Sequence, residues 1–295
     1  MKVAACKYPV GRPSSFDEFA AKQRRLLGAA ASRGAQVAVL PEYLSLELAA
    51  LFPAEVHGDL HASLAAIQPL RAAWLELFAG LARETGMHVV AGSFLLAQAD
   101  GGHRNRSDLF APDGGRLWQD KLQLTGFEKA VGTIVGGDAL KVAPVGDVRV
   151  GISICYDSEF PLPVRAQCEA GARLLLVPSC TDTAAGATRV RVGCLARALE
   201  NRIFVAQAVT AGQAPWSPAL DENTGEATVY APMDAGFPAD GILARTRGDE
   251  AWAFADLDVG LLEGTRVSAQ VANDRDWSGQ LAPALLRARL ERYTP

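Results

Sequence analysis

Histidine, lysine and cysteine are all scarce in this chain, with four, six and five copies among 295 residues. The cysteines (Cys6, Cys155, Cys168, Cys180 and Cys194) are odd in number and form no Cys-x-x-Cys pair. A disulfide framework or a structural zinc site therefore has no footing, and a reducing cytoplasm is the expected compartment. Neither sign of charge prevails: 29 Lys and Arg stand against 33 Asp and Glu, for a net charge of −4. Phosphate binding needs a basic face, so nucleic acid is not expected as a partner. No apolar run approaches the roughly 18 residues that span a bilayer, so no membrane association is expected. The start, Met1-Lys2-Val3-Ala4-Ala5-Cys6, reads as a strand rather than a secretory leader. Repeats at fixed spacing, low-complexity segments and interdomain linkers are lacking too. What remains is a chain with 49% apolar residues, long enough for one large α/β domain to bury a sizeable core.

Apolar runs of strand length alternate with stretches of helical periodicity. Ser15 and Glu18 make a capping box for a helix carrying Phe16, Phe19, Leu26, Leu27 and Ala30 on one face. Trp74, Leu77, Phe78, Leu81 and Ala82 repeat at helical spacing up to Gly86 and are read as core. Strands are predicted over 36–40, 88–92, 107–110 and 115–119, the last two joined by a turn at Pro112-Asp-Gly-Gly. The second half continues with a strand over 148–154, a helix near 164–170, a strand over 173–177, a helix near 189–201 and a strand over 203–209. A Pro/Gly-rich stretch over 212–240 is predicted to be irregular and functional, ahead of strands over 241–245 and 251–256. Such alternation, mixed with hairpins, indicates α/β layers.

Three of these strands end on a reactive side chain. Gln36–Leu40 runs into Pro41-Glu42, Gly115–Gln119 into Asp120-Lys121, and Val148–Ile154 into Cys155. Ligands bind outside the carboxyl ends of strands in open α/β sheets, so the three groups converge if their strands are neighbours. Taken alone, Cys155 reads equally well as a core residue, because free cysteine is among the most buried types. Its two companions favour a nucleophile, while the other four cysteines are read as core. No histidine is placed to serve it: His57 and His61 lie in a polar loop or helix start, His88 begins a strand, and His103 sits in a turn. Glu42 can instead take the thiol proton if burial raises its pKa. Lys121 can lower the thiol's pKa and hold a tetrahedral oxyanion, helped by the backbone N–H that follows Cys155.

On these residues the chain resembles the nitrilase superfamily, the carbon–nitrogen hydrolases, over nearly its whole length. The family's Glu-Lys-Cys triad matches Glu42 in Val-Ala-Val-Leu-Pro-Glu, Lys121 in Asp-Lys-Leu-Gln-Leu and Cys155 in Ile-Cys-Tyr-Asp. Its second glutamate, which braces the lysine, matches Glu128 in Gly-Phe-Glu-Lys, ahead of Gly136-Gly137-Asp138. Leu174–Ser179 resembles the strand-to-loop segment beyond the nucleophile, and Ala196–Asn201 a helix-end motif. The resemblance implies an α/β fold built as a four-layer αββα sandwich, two mixed β-sheets with helices outside. It implies hydrolysis of a small non-peptide amide through a cysteine thioester, without a metal or organic cofactor. It also implies subunits pairing into a homodimer or a larger homo-oligomer. Residues 1–276 are expected to form the hydrolase domain. The segment 277–295, with Leu281, Leu285, Leu286 and Leu290, is expected to pack on the domain or on a partner subunit.

Some positions depart from the family pattern. Gln123 stands where many relatives have histidine, Glu159 where arginine is common, and Leu162 where glutamate is common. The triad is untouched, and the substrate is left open among an aliphatic amide, an ω-amide of a dicarboxylic acid, a carbamoyl amine and a nitrile. Cys155-Tyr156-Asp157 favours the amide-hydrolysing branches. Tyr156, Phe127, Thr181 and Trp216 lie in segments within reach of the strand ends and are candidate pocket walls. Acyl transfer from the same thioester, and a non-catalytic binding protein that keeps the fold, are the rival readings.

Overall fold

The computed structural model describes residues 1–269 and 271–291. Its strands are β1 (Lys2–Pro9), β2 (Val37–Val39), β3 (His88–Val90), β4 (Phe94–Ala97), β5 (His103–Phe110), β6 (Arg116–Asp120) and β7 (Val142–Val145). They continue as β8 (Val148–Ile152), β9 (Leu174–Ser179), β10 (Phe204–Gln213), β11 (Glu222–Asn223), β12 (Thr228–Tyr230), β13 (Ile242–Arg245) and β14 (Trp252–Asp256). One mixed sheet runs β6-β5-β3-β2-β1-β14, with β4 also paired to β5. The other runs β7-β8-β9-β10-β12-β13, with β11 on the far end of β10. β1 belongs to both: Val3–Ala5 pair with β2, and Lys7–Pro9 pair in parallel with Val209–Ala211 of β10.

The central strands are mostly apolar because they are covered on both faces, as parallel strands between layers require. Leu174–Ser179 is buried at every position. The helices Phe16–Ser32 and Arg71–Thr85 cover the first sheet, joined by Phe19 stacked on Trp74 with ring centroids 5.7 Å apart. Pro161–Glu169 and Ala184–Asn201 cover the second. The result is the four-layer αββα sandwich.

Several local expectations differ from the structure. Ser15 does cap its helix, but the Glu18 carboxylate reaches back to the N–H of Ser14 at 2.7 Å rather than to Ser15. That helix buries Phe19, Gln23, Leu27 and Ala30, while Phe16 and Leu26 are half-exposed. Gln23 is tolerated inside because its amide donates to the Tyr8 hydroxyl at 2.6 Å. The stretch 212–240 is not all irregular, since Thr228–Tyr230 is a buried strand of the second sheet. The helix predicted from 189 starts at Ala184, where Thr183 accepts from the N–H of Gly186. The helix Val259–Ser268, capped by Asp258, was not anticipated. Leu281, Leu285, Leu286 and Leu290 are all more than half exposed, and residues 292–295 of that segment lie outside the described residues.

Candidate active site

The short strand β2 delivers Pro41-Glu42-Tyr43 to the edge of the core. Tyr43 adopts a left-handed conformation, φ 59°, and its N–H donates to Ser93 Oγ at 2.9 Å. Gly92 lies against this turn at φ 63°, and a Cβ there would fall 2.1 Å from the Pro41 carbonyl, so only glycine fits. β6 ends at Asp120 and hands over Lys121, which is 1% exposed. β8 breaks into a tight helical turn, Cys155–Glu159, whose first residue is the cysteine at φ 49°. A non-glycine residue there costs about 1–3 kcal/mol, a strain that surrounding contacts must offset. Asp157 supplies them: its carboxylate accepts from the N–H groups of Leu122 and Gln123 at 3.1 and 2.7 Å, and of Ile154 at 3.4 Å. One side chain thus pins the cysteine turn to the lysine loop.

Glu42, Lys121 and Cys155 line one cavity of about 320 Å³. Lys121 Nζ sits 2.7 Å from Glu42 Oε1 and 2.8 Å from Glu128 Oε2. Glu128 is fully buried on the helix Gly126–Val131, where it also accepts from the N–H of Thr125 and from the Tyr43 hydroxyl, at 2.9 and 2.8 Å. Glu42 Oε2 accepts from the N–H of Cys180, at the end of β9 in the opposite sheet, at 3.1 Å. The Cys155 thiol donates to the Cys180 carbonyl at 3.5 Å.

Burial raises the Glu42 carboxyl above its ordinary range, against the pull of Lys121. Burial would also depress Lys121, but the charges of Glu42 and Glu128 outweigh it and keep the ammonium charged. For Glu128 the attraction of Lys121 and the donated hydrogen bonds overcome burial, so it stays an anion. The thiol runs contrary to expectation. Burial and the Glu42 charge lift Cys155 well above its usual value despite Lys121, so it rests as a neutral thiol. A neutral thiol beside a carboxylate of raised basicity is suited to proton transfer at the moment of attack, rather than to a preformed thiolate.

Tyr156, Phe127 and Thr181 line the same cavity. Trp216 does not: its ring packs edge-on against His57 at 5.6 Å, its carbonyl meets His57 Nδ1 at 2.9 Å, and Pro218 and Ala219 reach the cavity instead. None of the four histidines lines it. Among the described residues no three His, Cys, Asp or Glu side chains gather as metal ligands. Two residues escaped the sequence reading. Cys180, expected in the core, is half-buried and forms part of the wall. Asn105, fully buried on β5, donates to Glu42 Oε1 at 2.8 Å and to Glu128 Oε1 at 3.3 Å.

The layered fold is that of solved nitrilase-superfamily proteins. Nit3 of Saccharomyces cerevisiae, in branch 10 of that superfamily, is similar with a TM-score of 0.72 at 20% identity, covering 93% of this chain and 96% of its own. An amidase from Nesterenkonia sp. is similar with a TM-score of 0.66 at 25% identity, covering 94% and 96%. The chain belongs to the carbon–nitrogen hydrolase family, whose model matches residues 2–236. It is accordingly a hydrolase of carbon–nitrogen bonds other than peptide bonds. Probable hydrolase YhcX of Bacillus subtilis is 29% identical over 94% of this chain, which spans only 53% of that relative's length. Omega-amidase NIT2-B of Xenopus laevis is 26% identical over 86% of this chain and 88% of its own length. No helix among the described residues is long and apolar enough to cross a membrane.

Proposed function

We propose that this hydrolase cleaves a small amide through a thioester on Cys155. Cys155 Sγ attacks the amide carbon while its proton passes to Glu42. Lys121 and the N–H of Tyr156 hold the oxyanion. The C–N bond breaks as Glu42 returns the proton to the departing ammonia or amine. Glu42 then takes a proton from water, the resulting hydroxide attacks the thioester, and the acid leaves with the thiol restored. Glu128 braces Lys121 as an anion and does not exchange protons. The observation that carries this reading is the meeting of Glu42 and Lys121, 2.7 Å apart, in the cavity that Cys155 also lines. The names of the amidase and omega-amidase relatives support an amide as substrate class. The enzyme works in the cytoplasm as a homo-oligomer. The hydrolase unit comprises residues 1–276, and the segment from 277 packs on that unit or on a partner subunit.

Ammonia release from butanamide tests the scheme. Cys155→Ala should abolish it, and Glu42→Gln should lower the rate by about 10²–10⁴. Rapidly quenched wild-type enzyme should carry the acyl mass on Cys155 alone. Full activity in Cys155→Ala would overturn the mechanism.

A further inference from the structure

Beyond the triad, the cavity wall is strongly asymmetric in charge. Four carboxylates line it, Glu159, Asp182, Asp221 and Glu222, against one guanidinium, Arg189. They come from three separate elements. Glu159 closes the same tight turn that Cys155 opens, Asp182 follows β9, and Asp221 and Glu222 lead through β11. Arg189 lies 3.8 Å from Glu159 with 63% of its side chain exposed, a loose pair at the mouth. Among the described residues Asp182, Asp221 and Glu222 have no cationic side chain within 4 Å.

We propose that the substrate is an amide whose acyl chain ends in a cation, an ammonium or guanidinium group, and that Glu159 is its principal counter-charge. The inference rests on the amide-hydrolase reading above and narrows it. The cavity is a substrate site on the strength of the buried Glu42–Lys121 pair and the thiol, and the wall decides which charge enters. A cleft lined by one sign of charge concentrates ligands of the other sign. Burial already lifts the Glu159 carboxyl, with Arg189 only partly opposing, so a second cation is welcome there. The rings of Phe127 and Tyr156 line the same cavity and add faces on which a cation can rest. Outside the triad and its bracing glutamate, a substrate carboxylate would instead meet four like charges with only Arg189 in its favour. This sets the enzyme apart from a hydrolase of dicarboxylic ω-amides.

The test compares three amides of matched reach: 4-aminobutanamide, butanamide and succinamate. The expected order of kcat/KM is cation, neutral, anion, with 4-aminobutanamide at least tenfold above succinamate at low salt. That ratio should shrink as ionic strength rises. In Glu159→Gln the ratio should fall at least threefold, and a Asp182→Asn/Asp221→Asn/Glu222→Gln variant should lower it further without touching the nucleophile turn. If butanamide is hydrolysed but succinamate equals or exceeds 4-aminobutanamide, the charge inference is overturned and the amidase reading stands. An unchanged ratio in both variants overturns the role of the acidic wall. If none of the three amides yields ammonia, both readings fall together.

Discussion

Asn105 stands between two carboxylates to which the proposed mechanism gives opposite duties. Its amide donates to Glu42 and to Glu128, and its Oδ1 has no partner among the described residues. The donated hydrogen bond favours the charged form of Glu42, opposing the upward push of burial. The proposed mechanism needs Glu42 ionised, so activity should decline as pH drops through that raised pKa. Asn105→Leu removes a donor to an anion, worth about 1.5–3 kcal/mol, and should move the acid limb of kcat/KM upward by roughly 1–2 pH units. An acid limb that stays in place would show that Asn105 only fills space. The alkaline limb should lie above the usual thiol range, because Cys155 is held neutral by burial and by Glu42. Glu42, Lys121 and Cys155 were legible because each follows a short predicted strand. Asn105 was not, since Asp100-Gly-Gly-His-Arg-Asn105 reads as a turn. In the fold it is a strand whose polar side chains face the buried acids, with Arg106 meeting Asp120 at 2.7 Å.

Between elements, the contact that matters most for alignment is the Asp157 carboxylate. It joins the turn after β8 to the loop after β6, across the two sheets. Asp157→Ala strands two or three backbone N–H groups, each costing about 1–3 kcal/mol if left unpaired. The variant should melt several degrees lower and lose at least tenfold in kcat, checked by thermal unfolding and steady-state kinetics. Wild-type kcat in a destabilised variant would separate its folding role from alignment. The placement of the strands was readable from apolar runs and turn residues, as the hairpin at 112–115 illustrates. Short pieces such as β12 were hidden, because three residues inside a Gly/Pro-rich stretch carry no periodicity of their own. Trp216 was misassigned for a related reason. Proximity in sequence to the loop said nothing of which way the indole turns, and it turns to His57.

At the scale of the whole molecule, several large apolar side chains are left exposed, some on the helices over the second sheet and some in the terminal segment. Leu162 and Val192, on the helices over the second sheet, are 66% and 52% exposed, and Leu285 and Leu286 are 68% and 65% exposed. The homo-oligomer proposed above would cover such groups. Light scattering should give a mass that is a multiple of the chain's, and Leu285→Glu/Leu286→Glu should shift it toward smaller species. A wild-type monomer at micromolar concentration would refute the assembly.

The double membership of β1 has its own consequence. Glu42 and Lys121 hang from one half of the sandwich and Cys155 from the other, seamed along a single shared strand. Turnover is therefore a gauge of how the halves are seated. A slip of about 1 Å costs roughly a hundredfold in rate, so dilute denaturant should silence the enzyme while its circular dichroism still reads as intact.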